Sequence, residues 1–134
     1  MSRKEKLKEL LVDENEVFEQ IIDKVKQLIG INKTDGSIVF KIDQENLTDH
    51  QAILLYLLGA KFAFDLELRE YPEVSNQELA DFLNRDPNAI GSRISELKKE
   101  RKVTSPERGK HIVKPLIIKN DIDEIVQKGE NLRK

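Results

Sequence analysis

Between residues 75 and 115 the chain writes two short amphipathic helices, a tight break and a basic hairpin in immediate succession, an order that few architectures accommodate. Ser75 is placed to accept from the free N–H groups of a first helical turn, and Glu78, three residues on, is placed to reach back. Leu79, Phe82 and Leu83 then make one apolar face. Residues 84–87 interrupt the pattern. Asp86 reads as an N-cap and Pro87 as the first helical residue, where a missing N–H is not needed. Ile90, Ile94 and Leu97 recur at steps of four and three, so at about 100° per residue they share a stripe of a second helix. The opposite face holds Asn88, Ser92, Ser95 and Lys99, flanked by Gly91, Arg93 and Glu96. Its side chains are mostly short and polar, which lets another molecule approach the backbone. This helix is expected to end near Lys102. A strand from Val103 then turns through Pro106, Glu107, Arg108 and Gly109 and returns as His111, Ile112 and Val113, with Arg108 and Lys110 at the tip.

The charge is unevenly placed. The whole chain is at −2 with an isoelectric point near 5.8, which by itself does not mark a nucleic-acid binder. By segment, residues 1–84 carry 10 Lys and Arg against 17 Asp and Glu, residues 85–119 carry 10 against 4, and residues 120–134 carry 3 against 4. The positive charge is thus confined to the second helix and the hairpin, as expected where cations displace counterions from phosphate.

With those residues in hand, positions 47–115, about half of the chain, resemble a winged helix-turn-helix domain of the kind common in prokaryotic, especially archaeal, transcriptional regulators. The resemblance implies a fold that is mainly α with a small antiparallel sheet; with the helical patterns read at the two ends, the chain divides into an N-terminal helical extension over residues 1–35, the winged domain over 36–119 and a C-terminal helix over 120–134. It implies that the second helix, about 87–102, is a recognition helix presenting Asn88, Ser92, Arg93, Ser95 and Lys99 to duplex DNA. The wing, about 103–115, would add Arg108 and Lys110. Glu96 and Glu100 depart from the pattern by placing negative charge near that face. The same fold also serves as a protein-interaction adaptor without DNA binding, so a polypeptide partner is the alternative expectation.

Outside this region the patterns are simpler. Thr48 reads as the cap of a long helix from Asp49 to about Glu70, apolar around most of its circumference and therefore buried on several sides. Tyr56, His50 and Lys61 within it read as packing, a residue of the first turn and a snorkelling cation. Residues 36–43 alternate, with Ile38, Phe40 and Ile42 on one face, and are expected to join the hairpin as its third strand. In the N-terminal third, positions 7, 11, 14, 18, 21, 25 and 28 step by four and three and are apolar except Glu14, widened by Leu10, Val17, Ile22 and Ile29. That stripe serves equally a dimerising helix and one folded back on its own domain, and Asp13 or Asn15 is placed to split it in two. At the other end Asn120 reads as the cap, and Gly129 as the end, of a helix carrying Ile122, Ile125 and Val126.

Several function classes find no support. There is no cysteine for a disulfide or thiolate metal site, and the longest apolar run, residues 52–64, is interrupted by Lys61 and falls short of the roughly 20 residues a membrane helix needs. His50 and His111 lie on different elements, and no nucleotide-binding, metalloprotease or nucleophile-elbow motif occurs. The expectation is a cytoplasmic, non-enzymatic duplex-DNA-binding homodimer without cofactor or metal, acting in transcriptional control.

Overall fold

The computed structural model describes residues 2–132. In chain order the elements are α1 (Arg3–Lys8), α2 (Glu14–Val25), β1 (Ile29–Ile31), β2 (Ile38–Phe40), a 3-10 turn (Gln44–Asn46), α3 (Asp49–Asp65), β3 (Val74–Ser75), α4 (Asn76–Leu83), α5 (Pro87–Lys99), β4 (Val103–Glu107), β5 (Lys110–Val113) and α6 (Lys119–Leu132). The protein is mainly helical with small antiparallel sheets: a β1–β2 hairpin, and a three-stranded sheet in the order β3–β5–β4.

Helix α3 is the axis of the core. The Thr48 hydroxyl accepts from Gln51 N at 3.1 Å while Gln51 Oε1 accepts from Thr48 N at 3.0 Å, closing a capping box. Every residue from Ala52 to Ala60 is buried, and each fully buried leucine there contributes roughly 1.5–3 kcal/mol by leaving water. The helix stops at Asp65, five residues short of the expected Glu70. Glu67 turns left-handed at φ 62°, and Leu68 N bonds back to Ala63 O at 2.9 Å.

The segment between α3 and α4 is pinned by one side chain. Arg69 donates to both Glu78 carboxylate oxygens at 2.7 Å, to Tyr71 O at 2.7 Å and to Glu73 O at 2.9 Å, while the Tyr56 hydroxyl donates to Glu78 at 2.6 Å. Burial pushes the Glu78 carboxyl up, but the bonds from Arg69 and Tyr56 outweigh it and leave it below the usual range. Burial, and then Glu78, push the Tyr56 phenol far above its ordinary value. Glu78 therefore does not close a capping box. The Ser75 hydroxyl does cap α4, accepting from Glu78 N at 3.0 Å.

The expected third strand of the hairpin sheet is corrected. Residues 38–40 pair with Ile29–Ile31, and it is Val74–Ser75 that pairs with His111 and Lys110. Ile38 is needed elsewhere: a Cβ at Gly59 would lie 2.8 Å from Ile38 Cγ1, so the absence of a side chain there lets β2 lie directly on α3. A two-residue strand such as β3 has no alternation to read.

The N-terminal stripe is also broken. Asp13 caps α2 by accepting from Asn15 N at 2.9 Å, and after Val25 the chain turns, so Leu28 ends the helical period and Ile29 belongs to a strand. Helix α2 folds back onto α6, with Ile21, Val25, Leu28, Ile122 and Ile125 in the same cluster as α3 and an ion pair between Lys24 and Asp123. Helix α6 begins at Lys119, before Asn120, and runs through Gly129, where Ile42 and Leu28 methyls would lie 3.8 Å from a Cβ. No helix is long and apolar enough to cross a membrane among the described residues.

Candidate nucleic-acid interface

Helix α5 starts as the sequence predicts, with the Asp86 carboxylate accepting from Asn88 N at 2.7 Å and Pro87 in the first turn. It ends at Lys99 rather than near Lys102, because Arg101 takes a left-handed φ of 63° and Lys102 N bonds to Leu97 O. Ile90, Ile94 and Leu97 are buried. Successive residues turn by about 100°, so the rest of the circumference divides into three sides.

The outermost side carries Asn88, Ser92, Ser95 and Lys99, all exposed and in one stripe. The Ser92 hydroxyl donates to Asn88 O of its own helix at 3.2 Å. A second side faces the start of α3. Here Arg93 is ion-paired with Glu96 at 3.0 Å and Asp49 at 3.8 Å, Asp49 also holds Arg85 at 3.2 Å, and Glu96 reaches His50 Nε2 at 2.7 Å. The His50 bond, and then Arg93, hold the Glu96 carboxyl below its usual range. Arg93 is thus drawn away from the Asn88–Lys99 stripe and engaged by two carboxylates. Sequence reasoning missed Arg85, although its position immediately before the Asp86 cap was a usable signal.

The third side, Gly91 and Lys98, faces α4 and the hairpin. A Cβ on Gly91 would lie 3.7 Å from Asn76 Nδ2, and Asn76 Oδ1 is 2.5 Å from His111 Nε2 on β5. Because a carbonyl oxygen only accepts, Nε2 carries the proton and Nδ1 accepts from the Ser105 hydroxyl at 2.7 Å. Asn76 N also donates to Gly109 O at 3.2 Å. Asn76 and His111 therefore tie the hairpin to α4 beside α5. Burial, and then the Lys98 charge, hold the His111 imidazole below its ordinary value.

Stability depends on pH through this imidazole. With the folded-state value below the unfolded one, stability is fully present above about pH 6.5 and falls as pH drops below it, since the unfolded chain binds the proton more readily. Urea midpoints measured from pH 7.5 down to 5 are expected to fall for the native chain and to fall less for His111→Gln. Parallel profiles would rule out His111 as the source.

At the hairpin tip Arg108 and Lys110 are exposed beside Gly109, whose φ is 77°. Pro106 lies in β4, not in the turn: a register irregularity between Thr104 and Glu107 accommodates it where its missing N–H breaks no ladder bond. Lys110 pairs with Glu107 at 3.4 Å, and Lys102 with Glu100 and Asp121 at 2.7 and 3.0 Å. Lys98, Lys99, Arg101 and Arg108 have no carboxylate within ion-pair distance among the described residues. The structure thus gathers Asn88, Ser92, Ser95 and Lys99 on one stripe, sets Arg108 and Lys110 on the hairpin, and leaves Arg93 to the side. No protein-family model, no curated protein and no solved structure matches this chain.

Proposed function

We propose that α3, α4, α5 and the β4–β5 hairpin form a winged helix-turn-helix that binds duplex DNA, with the chain acting as a homodimer in transcriptional control. The observation that carries the reading is the exposed polar stripe of α5, ending in Lys99, which has no ion-pair partner among the described residues, on the helix held beside a hairpin tipped by Arg108 and Lys110. Short side chains on the stripe admit the edge of a major groove, and the hairpin cations contact phosphate or minor groove. The confinement of the excess positive charge to residues 85–119 supports the same face, since phosphate contact dominates affinity and the acidic remainder limits indiscriminate binding.

A protein-interaction adaptor is the second reading. It is favoured by one observation: Arg85 and Arg93 are both committed to Asp49, and Glu96 lies beside them. The two readings separate in a single experiment, retention of a random duplex DNA pool on the purified protein at several salt concentrations, with sequencing of what is kept. Retention that falls steeply with salt and enriches a paired motif with half-sites about 34 Å apart is the expected result. No retention at low salt would sink the DNA reading in favour of the adaptor.

A further inference from the structure

Among the described residues no hydrogen bond or ion pair joins α5 directly to β4 or β5. The hairpin is anchored at its base by buried Val103 and Val113. Toward the tip its backbone pairs with the body through the two residues of β3, Val74 with His111 and Ser75 with Lys110. The hairpin is also interrupted there. Thr104 faces Ile112 and Glu107 faces Lys110, so on β4 both Ser105 and Pro106 fall opposite the single residue His111, and the ladder between the strands is broken where the tip begins.

Side chains bridge that break. The His111 imidazole, only 4% exposed, accepts from the Ser105 hydroxyl at 2.7 Å and donates to Asn76 Oδ1 at 2.5 Å. Asn76 meets the hairpin a second time through its backbone N–H, which donates to Gly109 O at 3.2 Å. The other end of its amide faces α5: Nδ2 is the nearest atom outside that helix to a Cβ built on Gly91, at 3.7 Å. One side chain on the first residue of α4 thus stands between the helix that carries the polar stripe and the strand that carries Lys110.

We infer that Asn76 is a positioning residue of the interface, fixing the hairpin tip relative to α5 so that Arg108 and Lys110 meet the same duplex as Lys99. The inference rests on the DNA reading of this face. An amide suits the task, because its oxygen offers the imidazole N–H an acceptor without bringing a negative charge toward phosphate. A tip ordered in the free protein does not have to be ordered on binding, so the cations on it contribute their full share to affinity. Where the tip wanders, the same cations bind phosphate weakly and out of step with the stripe.

The test compares the hairpin's contribution in different backgrounds of the whole chain. In the native background Arg108→Ala/Lys110→Ala is expected to lower duplex affinity roughly 20-fold and the salt slope by about 2. In an Asn76→Ala background the same pair should cost about threefold or less, since an unfixed tip has already lost most of its contribution. Asn76→Asp keeps an acceptor for the imidazole N–H and should restore the full cost of the pair, whatever its own charge does to overall affinity. In the absence of DNA, NMR order parameters of residues 105–110 are expected to fall in Asn76→Ala while those of α5 stay unchanged. Asn76→Ser, too short to span to the imidazole, replaces the alanine variant if that variant does not fold. An equal cost of the pair in every background, or a tip as ordered without the amide as with it, would overturn the assignment. A native chain that retains no duplex at low salt would instead sink the DNA reading, and the order parameters, which need no DNA, separate that failure from a failure of Asn76 to hold the tip.

Discussion

Gly36→Ala is expected to destabilise the protein by about 2–4 kcal/mol, the largest effect among the glycine-to-alanine changes. Two independent causes act at the same atom. Gly36 has a φ of 74°, a left-handed conformation that an L-residue adopts only with strain, and an added Cβ would lie 2.2 Å from the carbonyl oxygen of Leu68 and 2.9 Å from its carbon. The obstacle is backbone, so no rotamer change relieves it. Gly36 N also donates to Asn32 O at 2.7 Å, and the turn around it is held by Asn32 Oδ1 accepting from Thr34 N and Asp35 Oδ1 accepting from Ser37 N, so the turn cannot swing aside cheaply. Equilibrium urea unfolding of the purified variant checks this. Gly109→Ala is the control, because it shares the positive φ of 77° but has nothing within 4 Å of its would-be Cβ. If the two variants lose equal stability, the clash with Leu68 contributes nothing and only strain remains.

The second large effect is on binding. Removing Lys99, Arg108 and Lys110 together, each to alanine, is expected to lower duplex-DNA affinity roughly 100-fold near physiological salt and to reduce the slope of log affinity against log salt by about 3, one for each cation that no longer meets a phosphate. The thermal midpoint should move little, because all three side chains are exposed and the one ion pair among them, Lys110 with Glu107, is exposed as well. Glu96→Gln is expected to act in the opposite sense, raising affinity a few-fold by removing a carboxylate beside the stripe and releasing one of the two holds on Arg93. An unchanged salt slope in the triple variant would place the contact face elsewhere on the molecule.

Pairs of residues a few positions apart carried what was legible in advance. Thr48 as the cap of α3, Ser75 with the first turn of α4, Asp86 with Pro87, and Gly109 in its turn all act within a few residues, where chain connectivity alone brings donor and acceptor together. The apolar periods of α4 and α5 likewise identified Leu79, Leu83, Ile90, Ile94 and Leu97 as buried, while Phe82, expected on the same face as Leu79 and Leu83, stays 36% exposed against Phe40 and Tyr56; the exposed stripe of α5 followed by subtraction. Tertiary structure decided everything that needed a distant partner. Whether Ile38–Phe40 or Val74–Ser75 completed the hairpin sheet depended on the bare face of Gly59 receiving Ile38. Whether Glu78 capped a helix or held Arg69, and whether Arg93 pointed outward or toward Asp49, depended on charges 9 and 44 positions away in sequence. A side chain's periodicity records how much of it leaves water, which is local and nearly additive. Its choice among polar partners depends on which of several comparable charges the packed core brings within reach, and that is set only once the whole chain has closed around α3.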